Sequence, residues 1–307
     1  MSEVVLIIIY NHQYNKNIEI LEQIYKGRFS NIYHLVPFYT GEIKNVIPVY
    51  ECSYNFQGYV SQGFKTYFKE EYKHYFFVAD DLILNPIINE TNYTQHLKLN
   101  TKTSFLPEII GLHERGEFWT HVIRAFQWDI NFPGVEAKNE LPDYTTALQL
   151  FAKFGLVIKP LSYLQLYKKQ EFSGLAKIKK FQSYYLWKRT LFENKNKEFH
   201  LCYPLVSSYS DIFVISSDSI KQFSQYCGVF AATRLFVEIA VPTAIVLSAS
   251  EIVVQKDIEL LGGALWTPEQ CEILDKYDGE LKSLLNDFPE NLLYLHPIKL
   301  SKWKTTL

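Results

Sequence analysis

The sequence has little cysteine, no charge excess and no long apolar segment. Its four cysteines form no CxxC pair, which excludes a zinc ribbon or a CxxC redox motif and favours a reducing compartment. The 31 basic and 33 acidic residues nearly cancel, so the net charge of −2 provides no general attraction to nucleic acid. The longest apolar segment, Leu235–Ala249, is interrupted by Glu238 and Pro242 and falls short of the about 20 residues that span a bilayer. Met1–Tyr10 lacks a basic flank and a cleavage site, so we predict no secretory signal and a cytoplasmic location.

Aromatic residues, in contrast, are abundant. The 22 Tyr, 22 Phe and 5 Trp make up 16% of the 307 residues, within an apolar fraction of 48% that is sufficient for a full hydrophobic core. Two explanations stay open for the aromatic excess. One is codon bias in an AT-rich genome, and the other is a surface of rings that stack on sugars.

Strands and helices alternate along the N-terminal part. Continuous apolar segments predict strands at Val4–Ile9, Asn31–Val36, Asn45–Tyr50 and His74–Ala79, and helical spacing predicts helices at Ile18–Tyr25 and Gly63–Tyr72. Further along we predict a helix at Tyr144–Phe154, a mostly helical Leu161–Leu191, a strand at Ser210–Ile215, a helix at Ser219–Tyr226 and a capped amphipathic helix at Thr267–Asp287. The alternation is typical of an α/β sandwich with a parallel sheet.

An acidic pair directly follows the fourth predicted strand. Asp80 and Asp81 come after the apolar segment His74–Ala79. Ligands of open α/β sheets bind beyond the carboxyl ends of the strands, and carboxylates there can hold a divalent cation that neutralises phosphate oxygens. The alternative is that the pair only caps the following turn.

An α/β half that ends in a strand and an Asp pair near residue 80 resembles the nucleotide-sugar-dependent glycosyltransferases of the GT-A fold. In that family an Asp-x-Asp or related motif ends a central strand, binds the metal that bridges the donor diphosphate, and contacts the ribose or sugar. The resemblance implies an α/β GT-A-like fold with a Rossmann-type central mixed sheet flanked by helices. It implies one catalytic domain over residues 1–307, with residues 1–90 binding the nucleotide sugar and residues 91–307 binding the acceptor. It assigns Asp81 and Asp80 to a Mn²⁺ or Mg²⁺ ion, and Asp80 also to the donor.

A second motif lies at residues 296–303. His296, Lys299, Lys302 and Trp303 are similar to the closing His-x-x-Gly-x-Lys-Pro-Trp motif of the GT-A family that contains glycogenin and the lipopolysaccharide galactosyltransferases, without its Gly. The resemblance implies that His296 is a metal ligand and that Lys299 and Lys302 bind the donor diphosphate. Imidazole and carboxylate ligands suit Mn²⁺, and an ammonium suits a phosphate. A solvated basic tail is the alternative.

Two further carboxylates are candidate catalytic residues. Glu238 is the one carboxylate in the apolar segment Leu235–Thr243, where burial would raise its pKa toward that of a general base. In inverting members of the family an Asp or Glu deprotonates the acceptor hydroxyl, and we assign that role first to Glu238 and second to Asp211. A salt bridge between Glu238 and Arg234 is the structural alternative. A Glu238 base implies inversion and the His296 motif implies retention; we favour inversion.

The remaining candidates are polar or aromatic groups beside predicted elements. The donor-binding candidates are Tyr10 and Asn11, where the family contacts the nucleotide base, and Gln57 and Gln62, in a segment whose glycines could let the backbone approach a phosphate or could simply form turns. The acceptor-binding candidates are His113, Glu117 and Trp119.

These features predict a metal-assisted glycosyltransferase that moves a sugar from a UDP-linked donor to a glycan or glycolipid acceptor in bacterial surface polysaccharide synthesis. The acceptor class follows from the resemblance alone. Two other functions stay open: a nucleotidyltransferase, although residues 10–17 lack its Gly-rich basic loop, and a non-catalytic carbohydrate-binding protein. No nucleic-acid partner is expected. Peripheral contact with the inner face of a membrane and the oligomeric state stay open.

Overall fold

A seven-stranded mixed sheet forms the centre of the computed structural model, which describes residues 2–115, 120–165 and 181–307. The strands are β1 (Val4–Ile9), β2 (Ile32–Pro37), β3 (Val46–Val49), β4 (His74–Ala79), β5 (Ile83–Leu84), β6 (Thr103–Leu106), β7 (Ile110–Gly111), β8 (Leu161–Ser162), β9 (Glu198–Phe199), β10 (Val206–Ser207), β11 (Ile212–Ser216), β12 (Glu251–Val254), β13 (Leu261–Ala264) and β14 (Leu292–His296). The central sheet has the order β12-β6-β11-β4-β1-β2-β3.

Helices cover both faces of this sheet. They are α1 (Asn15–Tyr25), α2 (Gln57–Tyr67), α3 (Tyr93–His96), α4 (Thr120–Ala125), α5 (Ala137–Glu140), α6 (Tyr144–Lys153), α7 (Phe181–Asn194), α8 (Ile220–Ala232), α9 (Val237–Ser248), α10 (Pro268–Cys271) and α11 (Leu281–Asn286). Short 3₁₀ segments lie at Ser53–Asn55, Leu112–Glu114, Gln255–Asp257, Glu272–Tyr277 and Leu300–Lys302. None of the helices in the described ranges is long and apolar enough to cross a membrane.

The apolar strand sequences explain why the sheet is covered on both faces. All six residues of β1 are buried, and their side chains alternate between two cores. Val5 and Ile7 belong to the core that contains α2, α8 and α9, whereas Leu6 and Ile8 belong to the core that contains α1 and α11. A strand without polar residues therefore marks a sheet with helices on both faces, as predicted.

One strand runs against the others in the central sheet. β1, β2, β3 and β4 pair in parallel, and so do β6 and β12, but β11 is antiparallel to both β4 and β6. The start of β11 therefore lies at the same edge as the end of β4, with Ile212 opposite Val78. Residues that precede β11 and residues that follow β4 meet at this edge.

The second helix begins earlier than predicted. We expected a helix at Gly63–Tyr72 after a loop, but α2 spans Gln57–Tyr67 and contains both glycines of that segment. Gly63 packs on β2 so closely that a Cβ there would lie 2.6 Å from Leu35 Cδ2. These glycines therefore lie inside a helix, where Gly63 permits close packing, and not in a phosphate-binding loop.

Two other predicted helices differ from the structure. The Thr267 cap and its capping box with Gln270 are present, but the helix does not continue to Asp287. Asp278 and Gly279 both have positive φ, which ends the first helical segment before α11 starts. Of the predicted Leu161–Leu191 helix, residues 161–162 form β8 and α7 covers the final part, while residues 166–180 lie outside the described residues.

A small sheet brings β14 beside the acidic pair. β14 pairs with β13 in parallel and with β5 in antiparallel, and β5 starts two residues after Asp81. Gly263 of β13 permits this approach, because a Cβ there would collide with the backbone carbonyl of Tyr294. The segment predicted as either a donor-binding motif or a solvated tail thus begins as a buried strand.

We expect Gly263→Ala to lower the free energy of unfolding by about 1–3 kcal/mol, because the added methyl group must displace strand backbone and not a flexible side chain. Gly27→Ala is the matched control, since a Cβ at Gly27 would meet no atom within 4 Å. Urea denaturation of both variants measures the difference. Equal stability of the two variants would contradict the prediction, because it would show that the backbone of β14 can move away from Gly263 with no loss in the free energy of unfolding.

Candidate active site

The carboxylates of the candidate site converge at one edge of the central sheet. Asp80 and Asp81 follow the last residue of β4, and Asp211 precedes the first residue of β11. The backbone nitrogen of Ala79 donates a hydrogen bond to the carbonyl of Asp211 over 2.9 Å. Because β11 is antiparallel to β4, residues about 130 positions apart in the sequence become neighbours here.

His296 contacts Asp81 directly. β14 places His296 so that its Nε2 lies 3.1 Å from Asp81 Oδ1, and the backbone nitrogen of Ile298 donates to the carbonyl of Asp81 over 2.7 Å. Burial alone would lower the pKa of His296, but the carboxylates of Asp81, Asp211 and Asp80 outweigh it and the pKa is raised. The pair is therefore an ion pair at the edge of the sheet.

The donor atoms of this pair fit a divalent cation. His296 Nδ1 and Asp81 Oδ1 are buried, and neither has a hydrogen bond of good geometry within the described residues. Two adjacent ligands of an octahedral ion with bonds of about 2.1 Å lie about 3 Å apart. The 3.1 Å between His296 Nε2 and Asp81 Oδ1 is close to this separation, and an ion there would replace the proton between these two atoms. In the described ranges no three His, Cys, Asp or Glu side chains already form a metal cluster. Asp81 and His296 are thus the two side chains that could hold an ion here.

Asp80 makes its side-chain hydrogen bonds to α1 and to the segment that precedes α1. It is buried, its Oδ1 accepts from the backbone nitrogen of Asn11 over 3.3 Å, and its Oδ2 accepts from Asn17 Nδ2 over 3.2 Å. Burial, and then the charge of Asp81, raise the pKa of Asp80 to about 7. Asp80 therefore ties the start of α1 to the end of β4, and both its oxygens already have partners.

Asp211 joins the ion pair electrostatically. Burial raises the pKa of Asp211 to about 6; His296 opposes this shift and Asp81 adds to it. Burial and the same Asp211 carboxylate raise the pKa of Tyr209, whose ring stacks on Tyr294 at 5.6 Å between ring centroids. Asp211 thus belongs to the same group of charges as Asp81 and His296.

A wall of rings borders His296. The centroid of Trp266 lies 5.4 Å from that of His296 and 6.3 Å from that of Tyr209. Trp266 is 62% exposed, so one face of the indole is open to a ligand. Sequence reasoning missed Trp266 and Tyr294 as site residues, because only the pairing of β13 with β14 brings Trp266 to this edge.

Glu238 lies in the first turn of α9. Burial raises its pKa to about 7, Asp211 adds to the shift, and Arg115 and His296 oppose it. Arg234, the alternative partner, is exposed and makes no ion pair with Glu238 in the described part of the chain. The arginine that acts on Glu238 is therefore Arg115 and not Arg234.

Arg115 and Glu108 complete this side of the site, and the candidate residues did not include either. Arg115 Nη2 donates to Glu108 Oε1 over 3.0 Å, and its Nε donates to Ser207 Oγ. Glu108 follows β6, whose end lies at the same edge as the end of β4. Glu108 can be recognised as a site residue only after β6 has been placed in the sheet, and the sequence of β6 predicts a strand only weakly.

Several predicted donor residues have structural partners instead. The Tyr10 ring is fully buried and its hydroxyl lies 2.9 Å from His34 Nδ1, so it has no open face on which a base could stack. Gln57 is buried and donates to the carbonyl of Leu235 over 2.7 Å. Gln62 is exposed and its Oε1 accepts from the nitrogen of Tyr50 over 2.7 Å.

The remaining predicted residues are at varied positions. Lys299 and Lys302 are exposed and follow β14, beyond His296. Asn11 is half-buried and bonded to Asp80. His113 is buried in the 3₁₀ segment two residues before Arg115. Glu117 and Trp119 lie outside the described residues.

No protein-family model and no curated protein matches this chain. The architecture defines the chain as a mixed α/β protein with a seven-stranded central sheet flanked by helices, which is compatible with a Rossmann-like fold. The edge where β4 and β11 meet is a place where such sheets bind ligands.

Proposed function

We propose that the chain is a metal-assisted glycosyltransferase of the GT-A type, which transfers a sugar from a UDP-linked donor to a glycan or glycolipid acceptor. The observation that carries the proposal is the 3.1 Å contact between Asp81 and His296, in reach of Asp211, at the ligand-binding edge of the sheet. Ligands of open α/β sheets bind at this edge, and a cation there would offset the negative charge of a donor diphosphate.

Asp81 and His296 would hold the cation, which, when bound, stabilises the charge on the departing diphosphate. Lys299 and Lys302 are exposed beside them, and their ammonium groups could contact phosphate oxygens. The open face of Trp266 offers a surface on which a sugar or base could stack.

Glu238 would accept the proton of the acceptor hydroxyl as that oxygen attacks the anomeric carbon. A pKa of about 7 keeps a large fraction of the carboxylate deprotonated at neutral pH while leaving it basic enough to take a proton. Arg115 would limit the rise of that pKa and hold the carboxylate in the site. A Glu238 base implies inversion at the anomeric carbon.

Titration with UDP tests the proposal. Wild-type protein should bind UDP about ten-fold more tightly with Mn²⁺ than without it, because a cation held by Asp81 and His296 would supply positive charge to the diphosphate. His296→Gln should lose most of this increment and retain metal-free binding. Calorimetry measures both affinities.

Glu70→Gln is the control for this titration. Glu70 is an exposed carboxylate, paired with Lys221, and precedes β4 at the opposite edge of the sheet, so its removal should leave the Mn²⁺ increment intact. A wild-type affinity for UDP that is the same with and without Mn²⁺ would reject metal-assisted donor binding and favour a carbohydrate-binding protein.

A further inference from the structure

A cavity of about 390 Å³ lies at the start of α9 and contains none of the residues of the candidate site. It opens between α4, the loop that follows α4, and the segment that joins α8 to α9. Among the residues that line it are Tyr54, Arg124, Asp129, Arg234 and Phe236. We call it the Arg124/Arg234 cavity. Its volume is in the range of small-molecule sites.

The cavity has an excess of positive charge. Arg124 and Arg234 are two of only five arginines in the chain, and neither makes an ion pair with a carboxylate in the described ranges. Asp129 is the single acidic residue among those that line the cavity, and its Oδ1 accepts two hydrogen bonds from Asn131. Two guanidinium groups without carboxylate partners can bind a phosphate or carboxylate through paired hydrogen bonds.

Aromatic rings form the wall beside these arginines. The centroids of Tyr54 and Phe236 lie 4.9 Å apart, and His121 stacks on Phe236 at 4.5 Å. Burial, and then the charge of Arg124, lower the pKa of His121. An aromatic wall in a cavity that two arginines also line suits a ligand that joins an anionic group to a sugar ring.

The lining segment is held in place by buried hydrogen bonds. Trp128 Nε1 donates to the carbonyl of Thr233 over 3.1 Å, and Gln57 Nε2 donates to the carbonyl of Leu235 over 2.7 Å. Arg234 itself has a φ of 57°, a left-handed conformation that glycine or asparagine adopts more easily. The chain thus has an arginine at a position where its backbone conformation is unfavourable.

We propose that the Arg124/Arg234 cavity binds the anionic group of the acceptor, a phosphate monoester or carboxylate carried on a sugar ring. The assignment to an acceptor rests on the proposed function. Phe236 lines the cavity, and Glu238, two residues later, is the proposed base, so the first turn of α9 joins the two sites.

Titration of the full chain with glucose 6-phosphate, glucuronate and glucose, without metal or nucleotide, tests this site. At least one anionic sugar should bind ten-fold or more tightly than glucose, because a charge-assisted pair with arginine is available only to the anion. Arg124→Gln and Arg234→Asn should each weaken that binding about ten-fold. Asparagine tolerates the left-handed backbone, so the second variant removes the charge without straining the fold.

Two further variants complete the test. Arg189→Gln removes an exposed arginine that pairs with Glu193 on α7, and should bind like wild type. Asp129→Asn removes the one acidic lining group while keeping an oxygen for Asn131, and should tighten the binding. Equal affinity for glucose and both anionic sugars, or wild-type affinity in both cavity variants, would overturn the proposal. Because neither UDP nor Mn²⁺ is present, this outcome would leave the transferase proposal standing, and a failed UDP titration would leave the anion site standing.

Discussion

Replacing Glu238 with Gln is expected to lower the turnover number of sugar transfer about 10²- to 10⁴-fold and to leave binding of UDP and Mn²⁺ unchanged. Gln has the shape of Glu but cannot accept the acceptor's proton. The backbone of residue 238 stays in place, because its carbonyl, and not its side chain, accepts the hydrogen bond from the nitrogen of Ser208. Steady-state kinetics with a UDP-sugar and an acceptor sugar measure the loss.

The same residue sets the expected pH profile. A base with a pKa of about 7 works only when deprotonated, so the wild-type rate should fall as the pH drops below 7 and level off above it. We call this fall in rate below pH 7 the acidic limb of the profile, and Glu238→Gln should lack it. Glu108→Gln should move the limb to lower pH, because Arg115 loses its 3.0 Å partner and acts more strongly on Glu238. Near-normal turnover in Glu238→Gln, or an unchanged limb, would remove Glu238 from the role of base.

Replacing Asp81 with Ala should abolish metal-dependent transfer, with a loss of at least about 10²-fold at Mn²⁺ concentrations that saturate wild type. The side chain is the proposed ligand, whereas the backbone carbonyl of Asp81 accepts from Ile298 and survives the change. Asp81 is the carboxylate that raises the pKa of His296 most, so that pKa should fall in the variant.

Two measurements accompany this variant. NMR titration of the imidazole follows the pKa of His296, and circular dichroism establishes that the variant is folded. Asp287→Ala removes an exposed carboxylate that pairs with Lys276, and should keep full activity. Retention of metal-dependent transfer in Asp81→Ala would show that the cation binds elsewhere.

Much of the central sheet could be predicted from the sequence. β1 and β4 have the predicted bounds, because six consecutive apolar residues leave few alternatives to a strand covered on both faces. α2 was misplaced by six residues, since glycines indicate a turn until a neighbouring helix or strand is known to pack on them. The break at Asp278 could not be predicted, because a single αL residue other than glycine leaves no pattern in a polar segment.

Four residues of the candidate site could be predicted from the sequence, whereas Glu108, Arg115 and Trp266 could not. Asp81, Asp211, Glu238 and His296 each precede, follow or interrupt an apolar segment, and the structure brings all four into one electrostatic group. Arg115 has no such local context. Its relation to Glu238 depends on how β6, β7 and α9 meet, which is long-range packing that no local pattern encodes.

The pairing of β14 with β5 also has a consequence for synthesis on the ribosome. The two proposed ligands are 215 positions apart (296 − 81), a length that takes roughly 10 to 40 s to translate. Strands β1 to β4 are complete well before that, with the carboxylates of Asp80 and Asp81 at the growing edge and no imidazole beside Asp81. Under the proposed function, a nascent chain therefore cannot hold the cation through this pair until His296 has left the exit tunnel, so metal-assisted donor binding would begin only after almost the whole sheet has formed.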